Sequence, residues 1–219
     1  MSILSLHFEP KIGSKEPENR QNLKFERGLL NDSPGKVILR IVVNRKETLS
    51  IHPDLLAAQK DAYEPSGLFC KKITKEAESE EYGAFEFEIN NQQVKFRVAK
   101  ITPTKVGQFV TLWKRDGTIF PYDIADPVDL FVVSVRDGKH FGQFVFPKNV
   151  LCEKGIVSKN GKGGKRGIRV YPPWDITTSS QAKKTQAWQT LYFFEIHPHL
   201  DKAIIRKLFF PQPLYSNHF

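Results

Sequence analysis

The residues of this sequence best suited to binding chemistry lie in two basic segments that contain no acidic residue. The cations of the first segment, residues 95–115, are Lys95, Arg97, Lys100, Lys105, Lys114 and Arg115. Those of the second, residues 158–170, are Lys159, Lys162, Lys165, Arg166 and Arg169. A surface that binds polyanions needs clustered cations rather than evenly spread ones. The two segments therefore predict contacts with phosphate groups.

Glycines set the chemistry of the second segment. The loop at residues 158–167 (SKNGKGGKRG) contains four glycines, which let backbone N–H groups approach a phosphate closely. Lys162, Lys165 and Arg166 would neutralise its charge. The spacing is not that of a P-loop, because GKGGKRG lacks the GxxxxGK[ST] frame. The loop thus favours phosphate binding over nucleotide hydrolysis, with a solvated basic loop as the alternative.

A polar stripe follows towards the carboxyl end of the chain. Gln181, Thr185 and Gln189 are spaced at i, i+4 and i+8, which places them on one face of a helix. Amide side chains can hydrogen bond to base edges or to phosphates. We expect Gln181 and Gln189 to contribute to the same interface, and an ordinary solvated helix face is the alternative.

Other site chemistries lack the residues that they need. His197 and His199 are two residues apart, and no cysteine lies at ligand spacing beside them. Cys70 and Cys152 have no neighbouring histidine, and no GxSxG sequence occurs. The sequence therefore argues against a zinc site at the two histidines and against nucleophilic acyl transfer.

Composition indicates a basic globular protein. Lys plus Arg number 33 and Asp plus Glu number 24 among 219 residues, a net charge of +9 that favours polyanionic partners. No apolar run approaches the ~20 residues of a membrane span, and the two cysteines could form at most one disulfide. We expect a single domain over residues 1–219 that is cytoplasmic, with no membrane partner and no disulfide partner.

These segments must be positioned by a mixture of strands and helices. Residues 85–89 (FEFEI) and 94–98 (VKFRV) alternate around the turn Asn90–Asn91, which predicts a β-hairpin that pairs Glu86 with Lys95. Apolar runs predict central strands at residues 107–113, 130–135 and 141–146. Helices are predicted at residues 53–63, at residues 71–80, and from Thr177 or Ser179 to Glu195. The order implies an α+β protein with a mixed central β-sheet flanked by helices.

Four blocks of the sequence resemble the MepB-like family. They are FRVAKITPTKVGQFVTLWKR (96–115), FGQFVFPKNVLCEKGIVS (141–158), GKGGKRGIRVYPPWD (161–175) and QAKKTQAWQTLYF (181–193). Residues 81–196 therefore resemble a MepB-like core, whereas residues 1–70 and the C-terminal extension 197–219 carry no matching motif. The family is named for its association with a bacterial multidrug-efflux operon. The resemblance implies a cytoplasmic accessory protein whose fold is similar to the PD-(D/E)XK, or restriction-endonuclease-like, core.

The resemblance also implies where a nuclease site would lie. Such a core hydrolyses phosphodiesters with carboxylates that hold Mg²⁺ and with a Lys two positions after a Glu. Lys100 matches this Lys, but Val98 stands where the metal-binding Glu would be. In the hairpin register Glu81 lies opposite Lys100. The implied catalytic residues are Lys100 and Glu81, and the implied metal ligands are Glu76, Glu80 and Glu81; a solvated ion pair is the alternative.

Three functions remain open at this point. The first is binding of nucleic acid, DNA more than RNA, with no cofactor required. Its contacts would come from Lys100, Lys105, Lys114, Arg115, Lys162, Lys165, Arg166, Arg169, Gln181 and Gln189. The second is a Mg²⁺-dependent nuclease, and the third is an accessory protein without catalysis that binds an acidic protein partner. The missing Glu at position 98 places binding before catalysis.

Overall fold

The computed structural model describes residues 50–210 of the chain, so predictions for residues 1–49 and 211–219 lie outside the described part. The helices are α1 (Pro53–Ala58), α2 (Lys148–Glu153), α3 (Ser180–Gln189) and α4 (Lys202–Phe209). The strands are β1 (Lys71–Lys75), β2 (Phe85–Ile89), β3 (Gln92–Val98), β4 (Lys100–Thr102), β5 (Lys105–Thr111), β6 (Trp113–Asp116), β7 (Thr118–Pro121), β8 (Leu130–Asp137), β9 (His140–Pro147), β10 (Gly167–Val170) and β11 (Phe193–Glu195). None of the helices within residues 50–210 has the length and apolarity that a membrane crossing requires.

The largest sheet combines both strand orientations. Its order is β1-β2-β3-β8-β9-β11, in which β3 and β8 run parallel and the other neighbours run antiparallel. A smaller sheet has the order β10-β5-β4, and β6 pairs with β7. The predicted α+β class, with a mixed central sheet and flanking helices, is confirmed.

Two hydrophobic cores cover the two faces of the large sheet. Along β8, Leu130 and Val132 lie in the first core, while Phe131 and Val133 lie in the second. A strand that is buried on both faces needs apolar side chains at successive positions. This requirement explains the continuous run LFVV at the start of β8.

The first core lies between the large sheet and the helices α1 and α4. Leu55 of α1 and Phe209 of α4 are fully buried there together with Phe96 of β3. The rings of Tyr63 and Phe209 meet edge to face, with their centroids 5.1 Å apart. These contacts attach both helices to the same face of the sheet.

The second core contains side chains from the smaller sheet, α2 and the opposite face of the large sheet. Val110 of β5, Leu151 of α2 and Val170 of β10 are fully buried in it. Trp188 of α3 packs against this core, with its ring centroid 5.5 Å from that of Phe146. The second core therefore holds α3 beside β10, which shapes the candidate site.

The hairpin of β2 and β3 has the predicted register. Glu86 lies opposite Lys95 and Phe87 opposite Val94. Asn90 and Asn91 have φ angles of 47° and 65°, and a two-residue hairpin turn of this kind needs positive φ at both central positions. Alternation and turn chemistry were sufficient to predict this element.

The helix predicted at residues 71–80 is wrong. The chain forms strand β1 and then a short 3₁₀ turn, Glu80–Tyr82. β1 pairs with the outer edge of β2, where Lys72 bonds Glu88 at 2.8 Å. The charged residues that suggested a solvated helix serve as cross-strand partners instead.

Two other elements differ from their predicted positions. Most of residues 107–113 form β5, which belongs to the smaller sheet rather than to the central one. The helix predicted to reach Glu195 ends at Gln189, and Phe193–Glu195 forms β11. These three residues pair with the edge of β9. This pairing stabilises them as a strand more than continuing the helix would.

Candidate functional site

The start of the glycine-rich loop is anchored by one carboxylate, and backbone hydrogen bonds such as that from the Lys165 N–H to the Ile156 carbonyl at 2.8 Å hold its end. Asp123 accepts hydrogen bonds from Ser158 Oγ at 2.6 Å and from the backbone N–H of Gly161 at 2.9 Å. These bonds, that from Ser158 above all, lower the pKa of Asp123 to about 2. The backbones of Lys159 and Lys162 also bond each other at 3.1 Å. The loop therefore has a defined path at its start.

Glycine is required where the loop turns back towards strand β7. Gly164 has a φ of 83°, and a Cβ at this position would come within 2.7 Å of Pro121. Because of the left-handed backbone and the close approach, a larger residue at this position would force the loop or Pro121 to move. Lys165 and Arg166 follow at once and are exposed.

A groove lies between β10 and α3, beside this loop. We call it the β10–α3 groove. It has a volume of about 430 Å³. It is lined by Lys154, Ile156, Lys165, Gly167, Ile168, Arg169, Tyr171, Gln181, Thr185, Trp188 and Gln189. Four of the predicted binding residues, from two separate sequence segments, thus line one groove: Lys165, Arg169, Gln181 and Gln189.

The groove combines an apolar interior with cations. Ile156 and Ile168 are buried, and the Trp188 ring lies beside them along the groove. The Lys154 ammonium lies 5.5 Å from the centroid of the Trp188 ring, which is within cation–π range. Lys154 was not among the predicted binding residues, because it follows an acid in the sequence and lies outside both acid-free segments.

Gln189 lines the groove as a structural residue. Its side chain is buried, its Oε1 accepts from the N–H of Tyr171 at 2.9 Å, and its Nε2 donates to the carbonyl of Arg169 at 3.0 Å. Both amide atoms are therefore occupied by the β10 backbone and its continuation. The residue fixes the distance between α3 and β10, and we assign it no ligand contact.

Arg169 likewise bonds to the protein itself. Its guanidinium donates to the carbonyl of Gly107 at 2.9 Å and to Thr102 Oγ1 at 2.7 Å. These bonds hold the turn between β4 and β5. Arg169 adds positive charge to the groove while most of its directed hydrogen bonds go to this turn.

Several exposed cations of the loop, of α3 and of the segment after α2 have no acidic partner within residues 50–210. They are Lys154, Lys159, Lys162, Lys165, Arg166, Lys183 and Lys184, and Lys105 shares this property on the β4–β5 turn. Their charges are therefore available for phosphates. The predicted binding residues Lys105, Lys162, Lys165 and Arg166 belong to this set.

The remaining predicted cations are already paired. Lys100 bonds Glu81 at 3.0 Å, Arg115 bonds Glu78 at 2.7 Å, and Lys114 bonds Asp126. A phosphate would have to displace an acid at each of these positions. The structure thus shifts the candidate interface from the first basic segment to the second and to α3.

Glu81 and Lys100 meet, but not through the extended hairpin. β3 ends at Val98, and Glu81 lies in the turn Glu80–Tyr82, which ends at Gly83 in a left-handed conformation. The side chains of Glu81 and Lys100 are 70% and 43% exposed, and the Lys100 ammonium also lies 4.4 Å from the Tyr82 ring centroid. This is the geometry of a solvated ion pair.

The three predicted metal ligands do not fit a common Mg²⁺ site. Glu76 pairs with Lys95 and Arg97, Glu80 with Lys75, and Glu81 with Lys100. Each carboxylate is thus neutralised by a different cation, whereas a Mg²⁺ site directs oxygen ligands at one point. Within residues 50–210, no three His, Cys, Asp or Glu side chains form a potential ion-binding group.

A buried charge cluster on β3 was not predicted from the sequence. Arg97 is fully buried and bonds Glu76, and the Lys95 ammonium bonds both Glu76 and Glu86 at 2.5 Å. Burial alone would lower the pKa of Lys95, but the bonds to the two carboxylates outweigh it and the pKa is raised. Glu86 was the predicted partner of Lys95, and Glu76 was missed because its segment was interpreted as a helix.

The sequence and the fold both have known relatives. Residues 76–195 match the family model described as MepB-like. A solved structure described as the crystal structure of MepB is similar, with a TM-score of 0.56 and 37% sequence identity over 57% of this chain and 86% of that chain. No curated protein sequence matches the chain.

Proposed function

The chain belongs to the MepB-like family, and we propose that this member binds nucleic acid through the β10–α3 groove and the glycine-rich loop. The observation that carries the proposal is that Lys154 and Lys165, from two separate segments and without acidic partners in the described residues, line one groove whose neighbouring loop holds further exposed cations. Cations placed in this way can neutralise several consecutive phosphates. We propose DNA as the preferred ligand, and RNA is the ligand with which it is compared.

Lysine and arginine contact phosphates directly, so binding would need no cofactor. Mg²⁺ enters the proposal only if the protein also cleaves its substrate. We place the protein in a reducing cytoplasm, which agrees with the free thiols of Cys70 and Cys152. We also propose a restriction-endonuclease-like core, an assignment supported by the hairpin of β2 and β3 inside a mixed sheet.

The proposal is tested by the salt dependence of binding. Affinity for labelled DNA is measured by fluorescence anisotropy at several salt concentrations, for the wild type and for a triple variant with Lys162→Ala, Lys165→Ala and Arg166→Ala. For duplex DNA each phosphate contact adds about 0.9 to the slope of log K against log salt. The variant should bind more weakly, and its slope should be lower by up to about 2.7.

A matched variant separates position from net charge. Lys60→Ala, Lys202→Ala and Lys207→Ala remove the same charge from exposed positions beside α1 and on α4. These helices cover the opposite face of the large sheet. We expect this variant to bind nearly as tightly as the wild type. Equal weakening by both triple variants would show that only net charge matters.

Absence of binding would change the assignment. If neither DNA nor RNA binds, or if the slope is flat, the nucleic-acid proposal is wrong. The basic surface would then be assigned to an acidic protein partner, the third function that the sequence left open.

A further inference from the structure

We propose that the β10–α3 groove receives an unpaired base of a single strand, with the Trp188 indole as the stacking surface. This inference rests on the proposed function, because it names the form of nucleic acid that the same groove binds. Three observations support the inference: the shape of the groove, the position of Trp188 and the amide of Gln181.

The shape of the groove suits a flat aromatic group that carries a charge. Ile156, Ile168 and Trp188 supply apolar surface inside it, and Lys154 and Lys165 supply positive charge at its lining. An unpaired base has two exposed faces and an attached phosphate. In a duplex the faces of the bases are covered by their neighbours, so that phosphates and groove edges are the groups presented to a protein.

The environment of Trp188 holds the ring in place and leaves part of it accessible. One contact is with Phe146, at 5.5 Å between ring centroids and an interplanar angle of 51°. The indole is only partly buried and lines the groove. The Lys154 ammonium lies over this ring, 5.5 Å from its centroid, and a base that stacks on the ring would move this exposed side chain aside towards the phosphate of the same nucleotide. Proteins that bind single strands combine a basic groove with aromatic platforms in the same way.

Gln181 provides an amide beside this surface. Its Nε2 lies 3.5 Å from Thr185 Oγ1, a marginal contact, and the Thr185 hydroxyl bonds the Gln181 carbonyl at 2.9 Å. Gln189 and Gln186 differ, because both use their amide groups on backbone atoms of the protein. Of the two glutamines that line the groove, Gln181 is therefore the one placed to bond the edge of a stacked base.

The experiment compares three labelled ligands of equal length: a thymine single strand, a duplex, and an abasic strand that keeps the sugar and phosphates but lacks bases. The wild type should bind the thymine strand about 5- to 100-fold more tightly than the abasic strand, the range expected for one or more stacked bases. Trp188→Leu should lose most of this difference while binding the abasic strand as the wild type does.

Two further variants keep the test informative. Trp113→Leu makes the same change on β6 and should leave the preference for bases intact. Trp188→Phe retains an aromatic ring against Phe146 and should keep most of the preference. If Trp188→Leu unfolds, as judged by thermal denaturation, the test uses Trp188→Phe with and without Gln181→Ala. The proposal expects the added Gln181→Ala to reduce the preference for the thymine strand over the abasic strand. An unchanged preference in the double variant would overturn the proposal.

The two proposals fail in different ways. If no ligand binds, the proposed function itself is wrong. If all three ligands bind with equal affinity, or if the duplex binds best, the inference about the unpaired base is wrong while nucleic-acid binding stands. Equal losses in Trp188→Leu and Trp113→Leu would also overturn the role of Trp188.

Discussion

Burial decides what two similar ion pairs contribute. Glu76 bonds Arg97, whose side chain is 1% exposed, whereas Glu81 and Lys100 are largely in solvent. We expect Glu76→Gln to lower the free energy of unfolding by about 3–5 kcal/mol, because it leaves a buried cation without its carboxylate. We expect Glu81→Gln to lower it by less than about 1 kcal/mol. Urea denaturation of the two variants measures both values.

The comparison has a clear contrary result. The two variants have the same chemical change and differ in the exposure of the pair that they break. Similar losses of stability would mean that the Tyr122 hydroxyl, which accepts from Arg97, and the Glu86 carboxylate, which bonds Lys95, compensate the buried positive charge. The cluster would then be less dependent on Glu76 than its geometry indicates.

Catalysis is a separate prediction at the residue scale. Val98 cannot hold a metal, and Lys100 is bonded to Glu81. We therefore expect the purified protein with Mg²⁺ or Mn²⁺ to show little cleavage of DNA or RNA in a gel assay. Robust metal-dependent cleavage that is abolished by both Glu81→Gln and Lys100→Ala would contradict this expectation and support the nuclease alternative.

Local patterns predicted some of these residues and not others. The pairing of Glu86 with Lys95 follows from alternation on two adjacent strands, and the loop cations follow from the sequence directly. The bond between Glu76 and Arg97 joins β3 to a segment whose strand character depends on pairing with β2. The role of Gln189 depends on which strand α3 packs against, which residue spacing on one helix does not specify.

At the scale of elements, the glycine-rich loop depends on Asp123. Asp123→Ala removes the acceptor of the Gly161 N–H and the nearer of the two acceptors of Ser158 Oγ, which also bonds the Tyr122 carbonyl at 3.2 Å. The change makes the protein more basic, so charge alone predicts tighter binding of DNA. We expect several-fold weaker binding instead, because Lys159 and Lys162 lie on either side of Gly161 and lose this anchor. Anisotropy measures the affinity, and faster hydrogen exchange at Gly161 would report the released loop.

Asp61→Ala is the matched control, since Asp61 is an exposed acid in the segment after α1. It should bind DNA as tightly as the wild type or slightly more tightly. Tighter binding by Asp123→Ala would show that net charge outweighs loop geometry.

Because the pKa of Asp123 is depressed to about 2, its stabilising contribution is present above the ordinary carboxyl pKa and is lost as the pH falls towards 2. The anchor should therefore hold throughout the range from pH 5 to pH 8.

Helices and strands were predictable where neighbouring residues in the sequence determine them. The start of α3 agrees with the sequence, because Ser179 Oγ accepts from the Ala182 N–H at 3.1 Å as an N-cap. The end of α3 and the strand character of β1 were not predictable. Both are decided by an edge of the large sheet, to which residues far away in the sequence contribute.

At the scale of the described molecule, one sheet belongs to both hydrophobic cores. Phe209 of α4 is fully buried in the first core, whereas Trp174 and Trp188 pack against the second. We expect Phe209→Ala to lower the free energy of unfolding by about 3–5 kcal/mol. Tryptophan fluorescence during urea denaturation should show this loss, because the shared sheet couples the two cores.

The outcome separates one cooperative unit from two. A fluorescence midpoint unchanged by Phe209→Ala, together with a separate early transition in circular dichroism, would mean that the first core unfolds alone. The sequence predicted the α+β class and the mixed sheet, since strand and helix signals alternate irregularly along the chain. It did not predict that β5 and β10 form a second sheet, because apolar runs do not specify which strands become neighbours.

The parallel pairing of β3 with β8 has a consequence for how fast the protein folds. These strands are neighbours in the sheet although residues 99–129 separate them in the sequence, whereas the hairpins β2–β3 and β8–β9 each close through a short turn. Local contacts form rapidly, and contacts across a long intervening segment form slowly because the chain must first lose the entropy of closing that loop. We therefore expect the docking of two preformed hairpins to limit the folding rate. If β4 to β7 complete the structure after this docking, substitutions in them should accelerate unfolding while leaving the folding rate nearly unchanged.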